Sequence, residues 1–230
     1  MNQQAKKATK RTRRWLKVSL RTFLLAITVL CVWLGFIVNR VNKQKQAVAW
    51  VRENGGRVVY DFDLNGPRGP IDDAEPKGPK WLHQWIGIDY FADVRSVDLS
   101  KKEISDLAPL AQFTDLRQLT LRGTHISDIS PLARLKSLIY LNLNDTQVSD
   151  LAPLSALTNL EDLYLKNTQV SDLAPLSEMK RMISLDLSNT QVSDLSPLTG
   201  MADVGILIDY HQQVIIPPEL ESRVTESYGH

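Results

Sequence analysis

The sequence predicts an α/β solenoid with a parallel β-sheet, preceded by one transmembrane helix. Three observations support this prediction: an uncharged apolar run near the N-terminus, a 22-residue periodicity in the middle of the chain, and opposite charge balances in these two parts. Of 27 Lys and Arg residues, 12 lie in residues 1–52, which contain no Asp or Glu, whereas residues 53–230 contain 15 basic and 26 acidic residues. The net charge of +1 is therefore the sum of a basic N-terminal part and an acidic body, residues 53–230. An acidic body disfavours nucleic acid as a partner.

The apolar run occupies residues 22–38 and predicts a transmembrane helix over residues 22–39. Seventeen helical residues extend about 25 Å, which reaches across a hydrocarbon layer of about 30 Å once flanking side chains extend to the interface. Eight basic residues precede the run, and Arg40, Lys43 and Lys45 follow it. This excess predicts that residues 1–21 form a basic cytoplasmic arm and that the body lies on the extracytoplasmic side.

A cleaved signal peptide is the alternative for this N-terminal segment. The nearest small-residue cleavage site, Ala47-Val48-Ala49, begins nine residues beyond Val38, which is far for processing. The sequence therefore favours an uncleaved signal anchor, and cleavage would instead yield a secreted repeat protein. Residues 12–17 also resemble a twin-arginine export signal, but one residue of that motif is missing.

A helix, a strand, a loop and a cap are predicted between the membrane segment and the repeats. Residues 40–56 are helix-compatible and end at two glycines, which predicts a juxtamembrane helix that continues the membrane helix. Residues 57–93 contain a β-branched and aromatic strand signal at 57–64, followed by a Pro/Gly-rich loop. An aromatic cluster then precedes the repeats: Trp81, Leu82, Trp85, Ile86, Tyr90 and Phe91. We expect this cluster to cap the first edge of the core, and an aromatic ligand pocket is the alternative.

Repeats of 22 residues fill residues 94–209, where we predict five full copies and one degenerate copy. The period is marked by Pro109, Pro131, Pro153, Pro175 and Pro197, each preceded by an aspartate three residues earlier. Each repeat contains an apolar pair of the form Leu-x-Leu, which alternates as a strand does, with two side chains inward and one outward. One repeat alone leaves its apolar side uncovered, so the core forms only when neighbouring repeats stack in parallel.

A Ser-Asp pair before each proline is expected to cap a short helical turn. Side-chain oxygens at that position accept the free N–H groups, and proline costs little near the start of a turn. Calcium binding by the aspartates is the alternative. With one carboxylate per repeat and coils about 4.8 Å apart, repulsion is expected rather than a closed oxygen cage, so no metal site is predicted.

The repeats resemble leucine-rich repeats of the internalin-like, 22-residue class. The run Thr-Gln-Val-Ser-Asp-Leu-Ala-Pro-Leu at 146–154 and at 168–176 matches the pattern of that class, N-x-I-S-D-I-x-P-L, almost residue for residue. The resemblance covers residues 94 to about 209 and implies a curved right-handed solenoid, with strands on the concave side and short 3₁₀ turns on the convex side. The basic arm, single apolar helix and short repeat domain are also similar to membrane-anchored bacterial repeat proteins.

The chain departs from that class at the position of the usual ladder asparagine. This position holds Lys102, Thr124, Thr146, Thr168 and Thr190. A threonine hydroxyl is expected to bond the backbone of the next coil, with one donor instead of the two of asparagine.

The array is predicted to end after a sixth strand at Ile206-Leu207-Ile208. In the 22-residue phase, Asp209 replaces the second inward leucine and breaks the pattern. Residues 214–216 are expected to lie across the last coil. The whole of 210–230 is predicted to be a C-terminal cap followed by a loose tail.

The sequence predicts no enzyme and no cofactor. Its four histidines are far apart in the chain, and it contains no glycine-rich phosphate loop, no His-x-x-x-His motif and no nucleophile elbow. Cys31 is the only cysteine, which excludes an intramolecular disulfide and a multi-cysteine zinc site. An enzyme remains the alternative only if residues 57–93 contain a site.

The outward-facing strand positions predict a protein-binding surface on the concave side. Tyr140 and Tyr164 lie on adjacent coils and adjacent columns of this surface. The predicted site comprises these two tyrosines and five polar neighbours: Arg122, Asn142, Asp162, Lys166 and Asp186. This composition is enriched at protein contacts, although exposed tyrosine is also common on an ordinary sheet face. The predicted function is a protein–protein interaction module with an unknown partner, and a structural envelope component that packs with its own copies is the alternative.

Overall fold

The computed structural model describes residues 20–61, 92–201, 203–209 and 211–227. Residues 1–19 of the predicted basic arm and the aromatic cluster that was predicted to cap the repeats lie outside these residues. The chain divides into two compact units, Met1–Asn42 and Lys43–His230.

One long helix, α1, runs from Leu20 to Glu53. Its apolar side chains between residues 23 and 38 are exposed. Among the described residues it is the one helix long and apolar enough to cross a membrane, judged by length and composition, with a mean hydropathy of 2.2 over its most apolar window.

Two glycines end α1, as the sequence predicts. Gly55 has a φ of +69°, and its N–H donates to the carbonyl of Arg52 at 2.9 Å, while the N–H of Gly56 donates to the carbonyl of Val51 at 2.8 Å. This pair of bonds satisfies the last carbonyls of the helix and turns the chain sharply. A Cβ on Gly56 would lie 2.6 Å from the side chain of Leu99, so the close approach of the turn to the first coil requires glycine.

The second unit contains one eight-stranded sheet whose strands follow chain order. The strands are β1 (Arg57–Tyr60), β2 (Val94–Asp98), β3 (Gln118–Thr120), β4 (Tyr140–Asn142), β5 (Asp162–Tyr164), β6 (Ser184–Asp186), β7 (Gly205–Asp209) and β8 (Val224–Ser227). Strand β1 pairs antiparallel with β2, and all later pairs are parallel. The structure therefore confirms the predicted α/β solenoid, and the antiparallel strand β1 covers the outer edge of β2.

Short 3₁₀ turns lie opposite the sheet. They span Ala108–Gln112, Ser130–Arg134, Ala152–Leu154, Ala174–Leu176, Ser196–Leu198 and Pro218–Arg223. In each of the first five, a carboxylate oxygen of the preceding aspartate accepts the N–H two residues later at 2.8 Å. The bond from the Ser130 N–H holds the pKa of Asp128 below its usual value. The pKa of Asp194 is also lowered, first by the Ser196 hydroxyl, which donates to its carboxylate at 2.6 Å, and then by the Ser196 N–H. The predicted capping role is confirmed for the aspartate of each Ser-Asp pair.

A single apolar core runs through the coils between sheet and turns. The inward leucines of the central coils, such as Leu143 and Leu165, have no exposed surface. Burying a leucine side chain contributes about 1.5–3 kcal/mol, and each coil closes the core of its neighbours. The 22-residue phase therefore assigns the core correctly in the central repeats.

The threonines at the ladder position differ from the prediction. The hydroxyls of Thr124, Thr146, Thr168 and Thr190 each donate to the carbonyl three residues earlier in their own coil, at 2.6–2.7 Å. None of these hydroxyls donates to the backbone of the next coil, because a short side chain that donates to its local carbonyl does not reach further. The Thr190 hydroxyl does accept the side-chain amide of Gln212, in the next coil, at 3.1 Å. Backbone bonds join the coils at this corner instead, for example from the N–H of Gln169 to the carbonyl of Val148 at 2.9 Å.

The last coil contains 21 residues, and the predicted register there is wrong by one position. Ser184 pairs with Gly205, whereas the preceding coils pair residues 22 apart. Ile206 and Ile208 therefore point inward and are buried, while Asp209 lies on the outward-facing side. In the preceding coil, Ile183 lies between the buried Met182 and the first residue of β6. The last coil has no residue at the equivalent position, because β7 begins directly after the buried Val204.

The C-terminal residues are not a loose tail as far as the structure describes them. After the 3₁₀ turn at Pro218–Arg223, strand β8 pairs in parallel with β7. Leu220 is fully buried, and the Arg223 guanidinium donates to the carbonyl of Met201. Residues 214–216 do lie against the last coil, since the N–H of Ile215 donates to the carbonyl of Ser193 at 2.8 Å. The buried Leu220 side chain anchors this segment, although its mostly polar composition predicts a loose tail.

The C-terminal part of α1 covers the first edge of the core. Ala47, Val48 and Val51 are buried in the same cluster as the repeats, and the amide of Gln44 donates to the carbonyl of Ala92 at 2.8 Å. A helix packed in this way covers apolar surface that the first coil would otherwise expose. Residues 43–53 are therefore part of the solenoid unit.

Candidate protein-binding face

The concave face consists of the outward-facing side chains of β2–β7. The register places Tyr140 of β4 opposite Asp162 of β5, and Asn142 opposite Tyr164. The two tyrosines are consequently diagonal neighbours across one strand pair, in the middle of the sheet. Diagonal neighbours on one face lie within reach of aromatic side chains.

The two tyrosine rings contact each other. Their centroids are 5.3 Å apart and the ring planes are inclined by 43°. Both tyrosines are half-buried, so part of each residue remains accessible to solvent. A tilted pair at this distance is a favourable aromatic arrangement, and each ring restrains the other.

Two asparagine side chains next to this pair form hydrogen bonds to the Tyr140 hydroxyl and to the neighbouring backbone. The Asn142 amide donates to the Tyr140 hydroxyl at 3.3 Å, and its oxygen accepts the N–H of Asn144 at 3.0 Å. The Asn144 oxygen in turn accepts the N–H of Lys166, in the next coil, at 2.7 Å. The polar part of the predicted site is thus organised by side-chain bonds before any partner binds.

A polar ladder follows the strand ends beside the tyrosines. The Arg122 guanidinium pairs with the Asp145 carboxylate at 3.0 Å, and the Asn167 amide donates to the other oxygen of that carboxylate at 2.5 Å. Asn189 continues the ladder by donating to Asn167 at 2.8 Å. The hydrogen bond from Asn167, assisted by Arg122 and Lys166, holds the pKa of Asp145 below its usual value.

Asp145 and the asparagines of this ladder do not belong to the site predicted from the sequence. Asp145, Asn167 and Asn189 have φ values of 54–59°, as does Lys101 at 58°, and Gly123 takes the same position in the second coil. Asn, Asp and Gly are the residues that tolerate this left-handed conformation. A column of those residue types at 22-residue spacing is the signal that could have identified the corner.

Two acidic residues of the predicted site differ in accessibility. Asp162 is half-buried, and burial together with the neighbouring Glu161 raises the pKa of its carboxyl group. Asp186 lies on the outward column, but its side chain is only 7% exposed and its carboxylate accepts the N–H of Ser188 at 3.0 Å. The prediction that Asp186 belongs to the exposed binding site is therefore corrected, because this residue is buried and its carboxylate is bound to backbone.

The structure brings the other predicted residues together across β3–β5. Tyr140, Tyr164, Asn142 and Asp162 lie on adjacent strands, and Arg122 and Lys166 flank the ladder at their ends. In the described part of the chain, no three His, Cys, Asp or Glu side chains form a group that could hold a metal ion. The arrangement presents aromatic surface with charged and amide groups around it, which suits binding to a protein surface.

Comparison with known proteins agrees with this architecture. A family model described as leucine-rich repeats (2 copies) matches residues 136–178. No curated protein matches the chain at a significant level. Among solved structures, internalin C2 from Listeria monocytogenes is 34% identical, with a TM-score of 0.50 over 53% of this chain and 53% of that chain.

Two further solved structures are similar. The internalin inlF from Listeria monocytogenes is 30% identical over 56% of this chain and 41% of that chain, with a TM-score of 0.49. The ectodomain of the receptor kinase SOBIR1 from Arabidopsis thaliana is 15% identical, with a TM-score of 0.52 over 73% of this chain and 91% of that chain.

The match to internalin C2 extends over about half the length of that structure. The SOBIR1 ectodomain, at its low identity, shows the fold alone. Together with the sheet and turns described above, these findings show that the chain contains leucine-rich repeats and adopts the leucine-rich-repeat solenoid fold, with internalin-like structural neighbours.

Proposed function

We propose that this protein is a non-enzymatic protein–protein interaction module whose concave face binds a protein partner. The observation that carries the proposal is the Tyr140–Tyr164 pair at the centre of that face, with centroids 5.3 Å apart. Leucine-rich repeats are typically interaction modules, and tyrosine is among the residues that contribute most to binding energy at protein interfaces.

Preorganisation of the face supports this function. The rings restrain each other, and Asn142 and Asn144 are bonded to the chain around them. A partner that binds here orders few additional side chains, and each ordered side chain would otherwise cost about 0.5–1.5 kcal/mol. Six parallel strands at about 4.8 Å give a face about 25 Å long, which suits an interface of modest size.

We propose further that a single N-terminal helix displays this module outside a membrane. The exposed apolar surface of α1 between residues 23 and 38 supports insertion, and the excess of basic residues before it supports a cytoplasmic arm. Cleavage after Ala49 would remove Gln44, Ala47 and Val48, all of which are buried in the solenoid unit. An uncleaved anchor is the arrangement that keeps this part of the core.

The proposed binding face is tested by quantitative capture with the full chain as bait, in detergent, from cross-linked native membranes. Tyr164→Ala should lower partner recovery by an amount equivalent to about 2 kcal/mol or more, because it removes an aromatic anchor from a packed pair. Tyr164→Phe, which keeps the ring, should retain most of the recovery. Thermal unfolding of each variant checks that the fold is intact.

Ser155→Ala, in an exposed position after a 3₁₀ turn, is the control on the opposite side of the solenoid. Equal recovery by the parent chain, Tyr164→Ala and Ser155→Ala would place the binding surface elsewhere. Cross-linking of the parent chiefly to other copies of the chain would favour the structural envelope role instead.

A further inference from the structure

A polar groove of about 560 Å³ borders the concave face at the end where the strands begin. Six of its lining residues are Arg95, Arg117, Ile139, Asn159, Glu161 and Arg181. Ile139 directly precedes Tyr140, the first residue of β4, so the groove lies at the start of the strand that carries this tyrosine. None of the groove residues belongs to the site predicted from the sequence.

The positive charges of the three groove arginines are neutralised by neighbouring groups to different extents. The Arg181 guanidinium pairs with the Glu161 carboxylate at 3.2 Å and donates to the Asn159 oxygen at 3.1 Å. The Arg95 guanidinium donates to one backbone carbonyl, that of Asp115, at 3.1 Å. Arg117 is exposed, and its guanidinium has no hydrogen-bond or ion-pair partner within the described residues.

Arg95 and Arg117 lie on adjacent coils. The N–H of Arg117 donates to the carbonyl of Arg95 at 2.9 Å, and the N–H of Ile139 in the next coil donates to the carbonyl of Arg117 at 2.8 Å. Two cations therefore follow one another across the coils, with a half-buried apolar side chain next to them. Like charges at this spacing repel each other unless an anion lies between or above them.

This basic pair is an exception on an acidic body, since residues 53–230 contain 15 basic and 26 acidic residues. The surrounding charge disfavours a long polyanion such as nucleic acid, which would have to pass over acidic surface. A short carboxylate-bearing segment can meet the two guanidinium groups over a much smaller area, within which Asp115 and the ion-paired Glu161 are the acidic lining residues. Planar guanidinium groups also suit carboxylates, because they can donate two parallel hydrogen bonds.

We infer that this groove binds an acidic segment of a protein partner, with carboxylates at Arg95 and Arg117 and an apolar contact at Ile139. The inference rests on the proposed function in that the segment belongs to the partner that covers the tyrosine pair. The groove arginines favour an acidic segment over other segments by charge, and the tyrosines contribute apolar contact area.

The test is photo-crosslinking of a hexaglutamate peptide that carries a photoreactive group to the full chain in non-ionic detergent. Mass spectrometry separates adducts of the body from adducts of the basic arm at residues 1–21. The parent chain should form adducts between residues 95 and 181, with a yield that falls as salt is raised. Arg117→Glu should lower that yield about tenfold, and Arg117→Gln should lower it by a smaller factor, because it removes the cation without adding an anion.

Arg134→Glu is the matched control, since Arg134 is exposed in a 3₁₀ turn outside the groove. It should change the yield less than twofold. Adducts confined to the arm, or equal losses with Arg117→Glu and Arg134→Glu, would overturn the inference. Equally effective competition by a single-stranded oligonucleotide of the same charge would also overturn it, in favour of a phosphate ligand.

Failure of this inference is distinguishable from failure of the proposed binding face. Tyr164→Ala should leave the hexaglutamate yield within twofold of the parent while it lowers partner capture. If Arg117→Glu changes neither hexaglutamate crosslinking nor partner capture, the groove inference fails and the tyrosine face stands. If Arg117→Glu lowers both and Tyr164→Ala lowers neither, the groove is the contact and the tyrosine face fails.

Discussion

Asp145 links its own coil to the two neighbouring coils at the corner beside the binding face. Its carboxylate accepts from Arg122 in the preceding coil and from Asn167 in the following coil. Its backbone also adopts a left-handed conformation, with a φ of 59°. A carboxylate in this position links three coils, and this link depends on its ionised form.

We predict that Asp145→Asn lowers stability at neutral pH but not in acid. The pKa of Asp145 is held below its usual value of 3.8, first by the Asn167 hydrogen bond. Its contribution is therefore complete above the unfolded-state pKa and is lost as the pH falls through the lower folded-state pKa. At pH 7 the substitution should cost at most about 1 kcal/mol, because the carboxylate is partly exposed to solvent. Asparagine tolerates the same φ, so the backbone is not strained.

The measurement is urea unfolding of residues 43–230, parent and Asp145→Asn, at a series of pH values from 7 down to about 2.5. The difference in unfolding free energy should shrink as the carboxyl group becomes protonated in the parent. A difference that stays constant over this range would show that the charge of Asp145 does not stabilise the corner.

At the scale of elements, α1 has two different environments along one continuous helix. Its apolar residues before position 39 are exposed, whereas Ala47, Val48 and Val51 are buried in the solenoid core. Because the last turns of α1 cover the first coil, a body that begins after the helix would expose the edge of its core. The helix is therefore both the candidate membrane segment and, at its end, a cap of the repeats.

Val51→Asp should destabilise residues 43–230 by about 3 kcal/mol or more, because it places an unpaired charge in the core. The control is Ala49→Asp, two residues earlier, where the side chain is exposed and the lower helix propensity of Asp should cost less than about 1 kcal/mol. Thermal and urea unfolding measure both variants. Equal effects of the two substitutions would mean that the end of α1 does not pack against the repeats.

For the whole molecule, the charge distribution along the chain predicts a topology. Eight basic residues precede the apolar run and three follow it closely, so the arm should remain in the cytoplasm and the body should be exported. Substituted-cysteine labelling in intact cells tests this arrangement, with Cys31→Ala as the background.

Ser105→Cys, in an exposed position of the body, should react with a membrane-impermeant maleimide in intact cells. Thr9→Cys, in the basic arm, should react only after permeabilisation, which serves as the control for both sites. Labelling of Thr9→Cys and protection of Ser105→Cys in intact cells would show the opposite orientation.

The sequence by itself determined the features that recur in every coil. The 22-residue phase predicts the inward position of Leu143 and Leu165 and the capping role of Asp150, because each depends on residues of the same repeat or of an identical neighbour. The outward position of Tyr140 and Tyr164 follows from the same alternation. Periodic local patterns carry this information directly.

Tertiary structure decided what happens where the repetition is broken or where distant residues meet. The 21-residue last coil reverses the expected direction of Ile206, and β8 forms because it can add to the edge of β7 and bury Leu220. The covered carboxylate of Asp186 likewise depends on neighbouring coils, and so does the Arg117 guanidinium, which has no partner within the part of the chain that the structure describes. The burial and charge of a side chain are set by what packs around it, and one repeat does not encode the ends of the array.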